Sequence, residues 1–322
     1  MNSSLRIAVL LPCYNEAAAI GQTIAGFRAA LPDAAIFVYD NNSSDGTAEA
    51  AAAAGAIVRT ERMQGKGHVV RRMFADVEAD IYVLADGDAT YDAAAAPGLV
   101  ARLAEEQLDM VVGARKSEVE AAYRRGHRLG NRMLTGMLAA IFGRSFTDIL
   151  SGYRVFSRRF VKSFPALSSG FEIETEISVH ALELAMPVAE VTTAYGARPE
   201  GSESKLSTYR DGWRILRTIG HLFRIERPVL FYGSFGLLLA LIAILLAIPL
   251  GITYADTGLV PRLPTAILAT GLMILAAMSF MCGLILDTVV RGRREVRRLA
   301  YLAHPAPQAA PQPSPSRMQS GA

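Results

Sequence analysis

The triplet Asp86-Gly87-Asp88 directly follows the apolar run Ile81-Tyr82-Val83-Leu84-Ala85. Two carboxylates one residue apart at the end of a buried strand can share one hard divalent cation, with Gly87 letting the backbone turn. Mg2+ and Mn2+ take oxygen ligands and leave positions open for phosphates, so such a cation neutralises a diphosphate leaving group. The competing use of the two aspartates is helix capping in a solvated turn. Two other apolar runs also end in polar clusters: Pro12-Cys13-Tyr14-Asn15-Glu16, and Asp40-Asn41-Asn42-Ser43-Ser44-Asp45-Gly46-Thr47. Asp40 can accept hydrogen bonds from a nucleoside, while Ser44 or Asp45 suits the start of a helix. Gln64-Gly65-Lys66-Gly67 opens a helix with small residues and a cation, which favours phosphate approach. It lacks the full P-loop pattern, and no GxGxxG follows the first run, which disfavours a dinucleotide cofactor. Arg115 is followed by Arg124, Arg128 and Arg132 at four-residue intervals, and arginine forks suit phosphate.

These residues need elements to position them. Strands are expected at Arg6–Leu11, Ala35–Tyr39, Ala56–Thr60, Ile81–Ala85 and Met110–Gly113, with helices at 16–30, 46–54, 66–78 and 93–107 between them. That alternation reads as an α/β doubly wound, parallel sheet, whose ligands bind beyond the carboxyl ends of the strands. All three acidic clusters fall at such ends. Helices at 125–142 and 172–186 and a last strand at 188–198 complete the domain.

The rest of the chain is built for a bilayer. Hydrophobic residues make up 51% of 322, concentrated after residue 228. Val229 to Gly251 and Leu263 to Leu286 are charge-free runs, each longer than the ~20 residues that cross a bilayer core. Before them, Arg210, Arg214, Arg217, His221 and Arg224 share one helical stripe, and Trp213, Leu216, Ile219 and Phe223 another, as in an interfacial helix. Arginines flank both outer ends, from Arg224 and Arg227 to Arg291, Arg293, Arg294, Arg297 and Arg298. The positive-inside rule then puts the catalytic domain and the C-terminus in the cytoplasm and loop 252–262 on the other side. The expected organisation is a catalytic domain (1–206), a juxtamembrane helix (207–227), a two-span anchor (228–290) and a tail (291–322), basic and then Pro-rich and disordered. No secretory signal precedes the first run. Two cysteines make no disulfide framework, and a net charge of +3 excludes a nucleic-acid-binding polycation.

Pro12-x-Tyr14-Asn15-Glu16, Asp40-x-x-Ser43-x-Asp45-Gly46-Thr47, Gly65-Lys66-Gly67, Asp86-x-Asp88 and Asp148-x-x-Ser151-Gly152-Tyr153-Arg154 occur in this order. The set resembles family 2 glycosyltransferases of GT-A fold, in particular the dolichyl- or polyprenyl-phosphate sugar synthases of dolichol-phosphate mannosyltransferase type, two-span bacterial members included. The resemblance covers about residues 5–226. It implies a Rossmann-like mixed sheet flanked by helices, with Pro12, Tyr14, Glu16 and Asp40 on the donor nucleoside. It places Lys66 and Glu176 on the donor side as well, and Asp86 and Asp88 on Mg2+ or Mn2+ with the diphosphate. Arg115 and Arg132 are implied as holders of the acceptor phosphate, with Asp148, Ser151 and Arg154 lining the acceptor side. Lys205 would close over the diphosphate. Gly170-Phe171-Glu172-Ile173-Glu174-Thr175-Glu176 carries three acids where many relatives have one, which makes Glu172 or Glu174 a candidate sugar contact. The Gln-x-x-Arg-Trp motif of processive synthases is absent, against repeated extension.

The resulting expectation is an inverting, metal-dependent hexosyltransferase in a bacterial-type inner membrane. It moves a hexose or N-acetylhexosamine from a UDP- or GDP-sugar to polyprenyl phosphate, for envelope glycan assembly. A phosphate monoester with a second pKa near ~6 is already largely dianionic at neutral pH, so it needs no general base. Self-association through the transmembrane helices is compatible with this reading. Alternatives are another membrane or lipid-linked acceptor, a nucleotide-sugar pyrophosphorylase, disfavoured by the missing Gly-rich N-terminal loop, and a non-catalytic scaffold.

Overall fold

A computed structural model describes residues 5–116, 146–170, 172–196 and 223–307, with positions 136, 217, 220 and 221. The chain divides into two compact units, 1–212 with 297–322, and 213–296.

The first unit is built on a seven-stranded sheet. Its strands are β1 (Ile7–Cys13), β2 (Ala35–Asp40), β3 (Ile57–Thr60), β4 (Ile81–Leu84), β5 (Met110–Lys116), β6 (Arg154–Ser157) and β7 (Val188–Ala194). The order is β3-β2-β1-β4-β6-β5-β7. Helices α1 (Ala17–Ala30), α2 (Thr47–Ala53), α3 (Lys66–Asp76), α4 (Ala96–Glu105), α5 (Arg158–Ser163) and α6 (Ile173–Glu183) intervene. In α1 the buried residues Ala19, Ile20, Thr23, Ile24 and Phe27 recur at helical spacing; in α4, Ala96, Leu99, Val100, Leu103 and Ala104 do the same. Strands β1 and β4 are almost wholly buried, as near-continuous apolar runs at the middle of a helix-covered sheet must be.

The sheet is mixed, as the resemblance implies, where the strand–helix alternation alone reads as parallel. The four-residue β6 lies between β4 and β5, antiparallel to both. Arg154 is in register with Leu84 on one side and with Val112 on the other. Because β6 runs backwards, the segment entering it, 148–153, arrives at the carboxyl ends of β4 and β5.

The second unit contains α7 (Pro228–Thr257) and most of α8 (Leu263–Leu302). Both helices are long and apolar enough to cross a membrane. Leu238, Leu245, Ile267 and Met278 are more than half exposed, whereas a core helix of a soluble domain buries such side chains. The two helices approach closely at small residues. A Cβ on Gly236 would lie 2.8 Å from the Ala276 carbonyl oxygen, and Ser279 Oγ donates to the Tyr232 carbonyl at 2.8 Å. Helix α7 extends past the apolar run until Gly258 takes a left-handed φ of 69°, so Asp256 is helical. The basic stretch from Arg291 is likewise helical as far as Leu302. Most of the amphipathic segment 208–225, including Trp213, Arg210 and Arg214, lies outside the described residues.

Candidate functional site

The ends of β1, β2 and β4 lie side by side, with Cys13 in register with Asp40. Asn15, at a φ of 54°, donates its N–H to Ser43 Oγ (2.8 Å) and accepts from the Ser44 N–H (2.9 Å). Thr47 Oγ1 accepts from the Glu16 N–H at 2.9 Å, and Asp45 accepts from the Ala17 N–H at 3.0 Å. Asp45 therefore caps α1 across the gap as well as holding Thr47 at the start of α2. Burial works against the Asp45 charge, but these hydrogen bonds outweigh it and lower its pKa. The hydrogen-bonded frame leaves Tyr14 40% exposed. Asp40 is buried; its Oδ2 accepts from Ser43 N–H, while Oδ1 has no hydrogen-bond partner among the described residues. A buried carboxylate oxygen without a donor costs free energy unless a ligand supplies one.

Asn41 then ties the next loop down. Its amide donates to the carbonyls of Glu61 and Met63, both at 2.8 Å, and its Oδ1 accepts from the Gly65 N–H at 2.7 Å. Gly65 and Gly67 are pressed against the 168–169 backbone: a Cβ on either would come within 2.1 Å of a carbonyl oxygen there. Gly65 also has a φ of 134°, in a region L-residues avoid.

Lys66, between them, reaches the end of β4. Its Nζ lies 2.5 Å from Asp86 Oδ1 and 2.5 Å from Glu174 Oε1. Burial alone would lower the Lys66 pKa, but the charges of Asp86 and Glu174 override it and raise it, so the ammonium stays protonated. Asp86 remains 31% exposed, and Gly152 sits against it: a Cβ there would lie 2.8 Å from Asp86 Oδ2. Asp88 is buried and accepts from Thr90 through the backbone N–H (3.2 Å) and Oγ1 (2.6 Å). Gly87 does not serve the turn as expected; the left-handed residue is Ala89, at a φ of 58°. Gly87 is small because a Cβ would meet Cys13 Sγ at 2.5 Å.

Arg115, at the end of β5, forks onto Asp148, Nε to Oδ2 at 2.7 Å and Nη2 to Oδ1 at 2.8 Å. Burial raises the Asp148 pKa, but the hydrogen bonds and charge of Arg115 prevail and hold it below the usual carboxylate range. Asp148 is thus a positioning partner of Arg115. Ser151 and Arg154, expected on the acceptor side, are fully buried and turn inward. Ser151 Oγ donates to the Gly113 carbonyl at 2.6 Å. Arg154 donates to the carbonyls of Ile149 and Ser151 and to Ser178 Oγ. These bonds pin the 148–154 segment around a guanidinium with no exposed surface. Glu176 likewise turns to the backbone, accepting from the Leu167 and Ser168 N–H groups at 2.9 and 2.8 Å. Arg132, Arg124, Arg128 and Lys205 lie outside the described residues.

The structure thus gathers Asp86, Lys66 and Gly152 at one strand end, Asp40, Tyr14 and Glu16 at its neighbours, and Arg115 with Asp148 farther along. Sequence reasoning missed Asn41 as the clamp of the Lys66 loop and Glu174 as the second partner of Lys66. The signal for Asn41 was its place directly after Asp40; Glu174 stood out only as one of three acids. Among the described residues no three His, Cys, Asp or Glu side chains group as a metal cage. Asp86, part exposed, with the buried Asp88 two residues on, suits a hard cation that takes its other ligands from a diphosphate and water.

Comparison with known proteins bears on the family and the fold. Residues 8–164 match the family described as Glycosyl transferase family 2. The chain is 37% identical over 232 residues to the glycosyltransferase AglJ of Haloferax volcanii, across 71% of this chain and 76% of the relative. It is 26% identical over 221 residues to the dolichyl-phosphate hexose transferase of the same organism, across 69% of this chain and 95% of the relative. Glucosyl-3-phosphoglycerate synthase from Mycobacterium tuberculosis, solved with Mn2+, UDP-glucose and glycerol 3-phosphate, matches with a TM-score of 0.55. That match is 25% identical and covers 69% of this chain and 80% of that one. With its mixed α/β sheet of GT-A kind, the chain belongs to glycosyltransferase family 2.

Proposed function

We propose that this chain transfers a hexose or N-acetylhexosamine from a UDP- or GDP-sugar to a polyprenyl phosphate, with inversion and with Mg2+ or Mn2+. The observation that carries the reading is one conjunction. The ion-paired Lys66–Asp86 cluster stands at the strand ends of a nucleotide-type sheet, in a chain with two helices long and apolar enough to cross a membrane. Asp86 and Asp88 would hold the cation, which neutralises charge on the departing nucleoside diphosphate. Asp40 would complete its unsatisfied Oδ1 with a nucleoside donor, beside Pro12, Tyr14 and Glu16. Lys66, and Lys205 from outside the described residues, would meet the diphosphate.

On the acceptor side, Arg115, oriented by Asp148, would hold the phosphate together with Arg132. The acceptor is charged before it reacts, so positioning and charge stabilisation account for catalysis without a general base. The dolichyl-phosphate activity named for one relative supports a lipid phosphate as acceptor. An interfacial segment and two spans would keep the catalytic domain at the cytoplasmic face of the membrane, where that phosphate lies. The test incubates membranes holding the full chain with labelled UDP-glucose, UDP-N-acetylglucosamine and GDP-mannose, each with undecaprenyl phosphate. Label entering the lipid phase with one donor is expected. Donor turnover without lipid labelling would instead point to another membrane or lipid-linked acceptor.

A further inference from the structure

Glu174 is nine-tenths buried at the first turn of α6, and its side chain is spent on Lys66. Its surroundings are built to keep it there. Glu176, one residue beyond its neighbour, accepts from the Leu167 and Ser168 N–H groups and so fixes the loop before α6. The carbonyls of Ser168 and Ser169 in that loop press on Gly67 and Gly65, and the Gly67 N–H donates to Ser169 at 3.1 Å. The Lys66 loop is therefore clamped from both sides, by Asn41 and by the loop that precedes α6. Lys66 has its ammonium between two carboxylates at equal distances of 2.5 Å.

That sharing has a consequence for Asp86. An ammonium bound by one carboxylate cancels its charge; an ammonium shared by two leaves the group of three with one net negative charge. Asp86 then keeps attraction for a cation at its exposed edge. Without Glu174, Lys66 would pair with Asp86 alone and oppose a divalent cation there.

Resting on the reading of Asp86 and Asp88 as the cation and diphosphate site, we propose that Glu174 is a positioning residue that acts through Lys66. It shares the ammonium so that Asp86 remains competent for the metal-bound nucleotide. Its carboxylate sits on the lysine in the structure, which distinguishes this role from a sugar contact.

The test is nucleotide binding, independent of turnover. The full chain in detergent micelles is titrated calorimetrically with UDP and with GDP, with and without MnCl2. The readout is the ratio of the two dissociation constants, which reports how far Mn2+ aids the nucleotide. Glu174→Gln should lower that ratio by about tenfold, within the roughly 5–150-fold range over which one group typically couples to binding at another. In a Lys66→Met background the same substitution should no longer lower it, because its effect runs through the lysine. Glu174→Asp, which retains the charge on a shorter arm, should fall between, and it replaces Glu174→Gln in the cycle if that variant does not fold. An unchanged ratio with only a lower melting temperature would overturn the proposal, as would an equal loss with and without Lys66. If the unsubstituted chain binds neither nucleotide, the donor-site reading itself fails; if it binds and Glu174 is inert, only the positioning role does.

Discussion

Adding one methyl group at the centre of the Asp86-Gly87-Asp88 triplet tests whether packing, rather than backbone freedom, demands a glycine there. In Gly87→Ala the new Cβ would start 2.5 Å from Cys13 Sγ, with Ile20 Cδ1 at 3.4 Å and Cys13 Cβ at 3.8 Å. Ordinary van der Waals contact begins about 1 Å farther out than the sulfur now sits. Cys13 cannot give way easily: it is 2% exposed, ends a central strand and lies in register with Asp40. Overpacking of this kind costs ~1–3 kcal/mol, and the rigid neighbour puts this case toward the top of that range. For a unit of this size the melting temperature should fall by roughly 5–10 °C. Cys13→Ala removes the sulfur and on its own costs about 1 kcal/mol for the small cavity. Combined, the new methyl group meets Ile20 Cδ1 and the Cβ at position 13 at ordinary contact distances and refills part of the vacated volume. The double variant should therefore lie within about 1 kcal/mol of the unsubstituted chain, a coupling of about 3 kcal/mol. Denaturant melts of the four proteins, followed by Mn2+-dependent nucleotide binding, measure both halves. Additive destabilisation would refute the packing explanation, as would a neutral Gly87→Ala.

Asp88→Ala should abolish transfer and the metal-dependent part of donor binding; retained turnover would remove the cation assignment. Arg132→Ala should weaken use of the lipid acceptor more than donor affinity, and the reverse pattern, read by nucleotide titration against lipid-dependent turnover, would show that the arginines are divided wrongly. Asp148→Asn breaks the fork to Arg115 inside the fold and should cost on the order of 2–3 kcal/mol, since a mostly buried cation loses its partner. The sign of its pH dependence follows from the depressed pKa. The contribution of Asp148 is fully present above its ordinary value of 3.8 and is lost as pH falls through the lower folded value. Acid melts of Asp148→Asn should therefore be flatter below pH 4 than those of the unsubstituted chain.

The parts of this protein legible in its sequence are those whose signal is local. Strands β1, β2 and β4 are continuous apolar runs, α1 and α4 repeat their buried residues at helical spacing, and the two apolar helices need only length and composition. Polar clusters that interrupt such runs mark strand ends, so Asp40, Lys66 and Asp86 could be singled out without coordinates. Strand β6 could not. It has four residues, begins with an arginine, and is stable centrally only because Arg154 spends its donors on carbonyls from its own entry loop and a serine from α6. The resemblance places Arg154 on the acceptor side; its burial depends on where the fold brings its entry loop and Ser178. The same holds for Glu174 and Glu176, two acids of one run that the fold separates, one to a lysine and one to backbone amides. Returning to Asp86-Gly87-Asp88, residue types named a candidate cation site, but its glycine is required by Cys13, a residue on another strand. Periodicity and composition are properties of neighbours in the chain. Which charge meets which, and where a methyl group has no room, depends on strand order, and an antiparallel insertion between β4 and β5 decides that only once the sheet has formed.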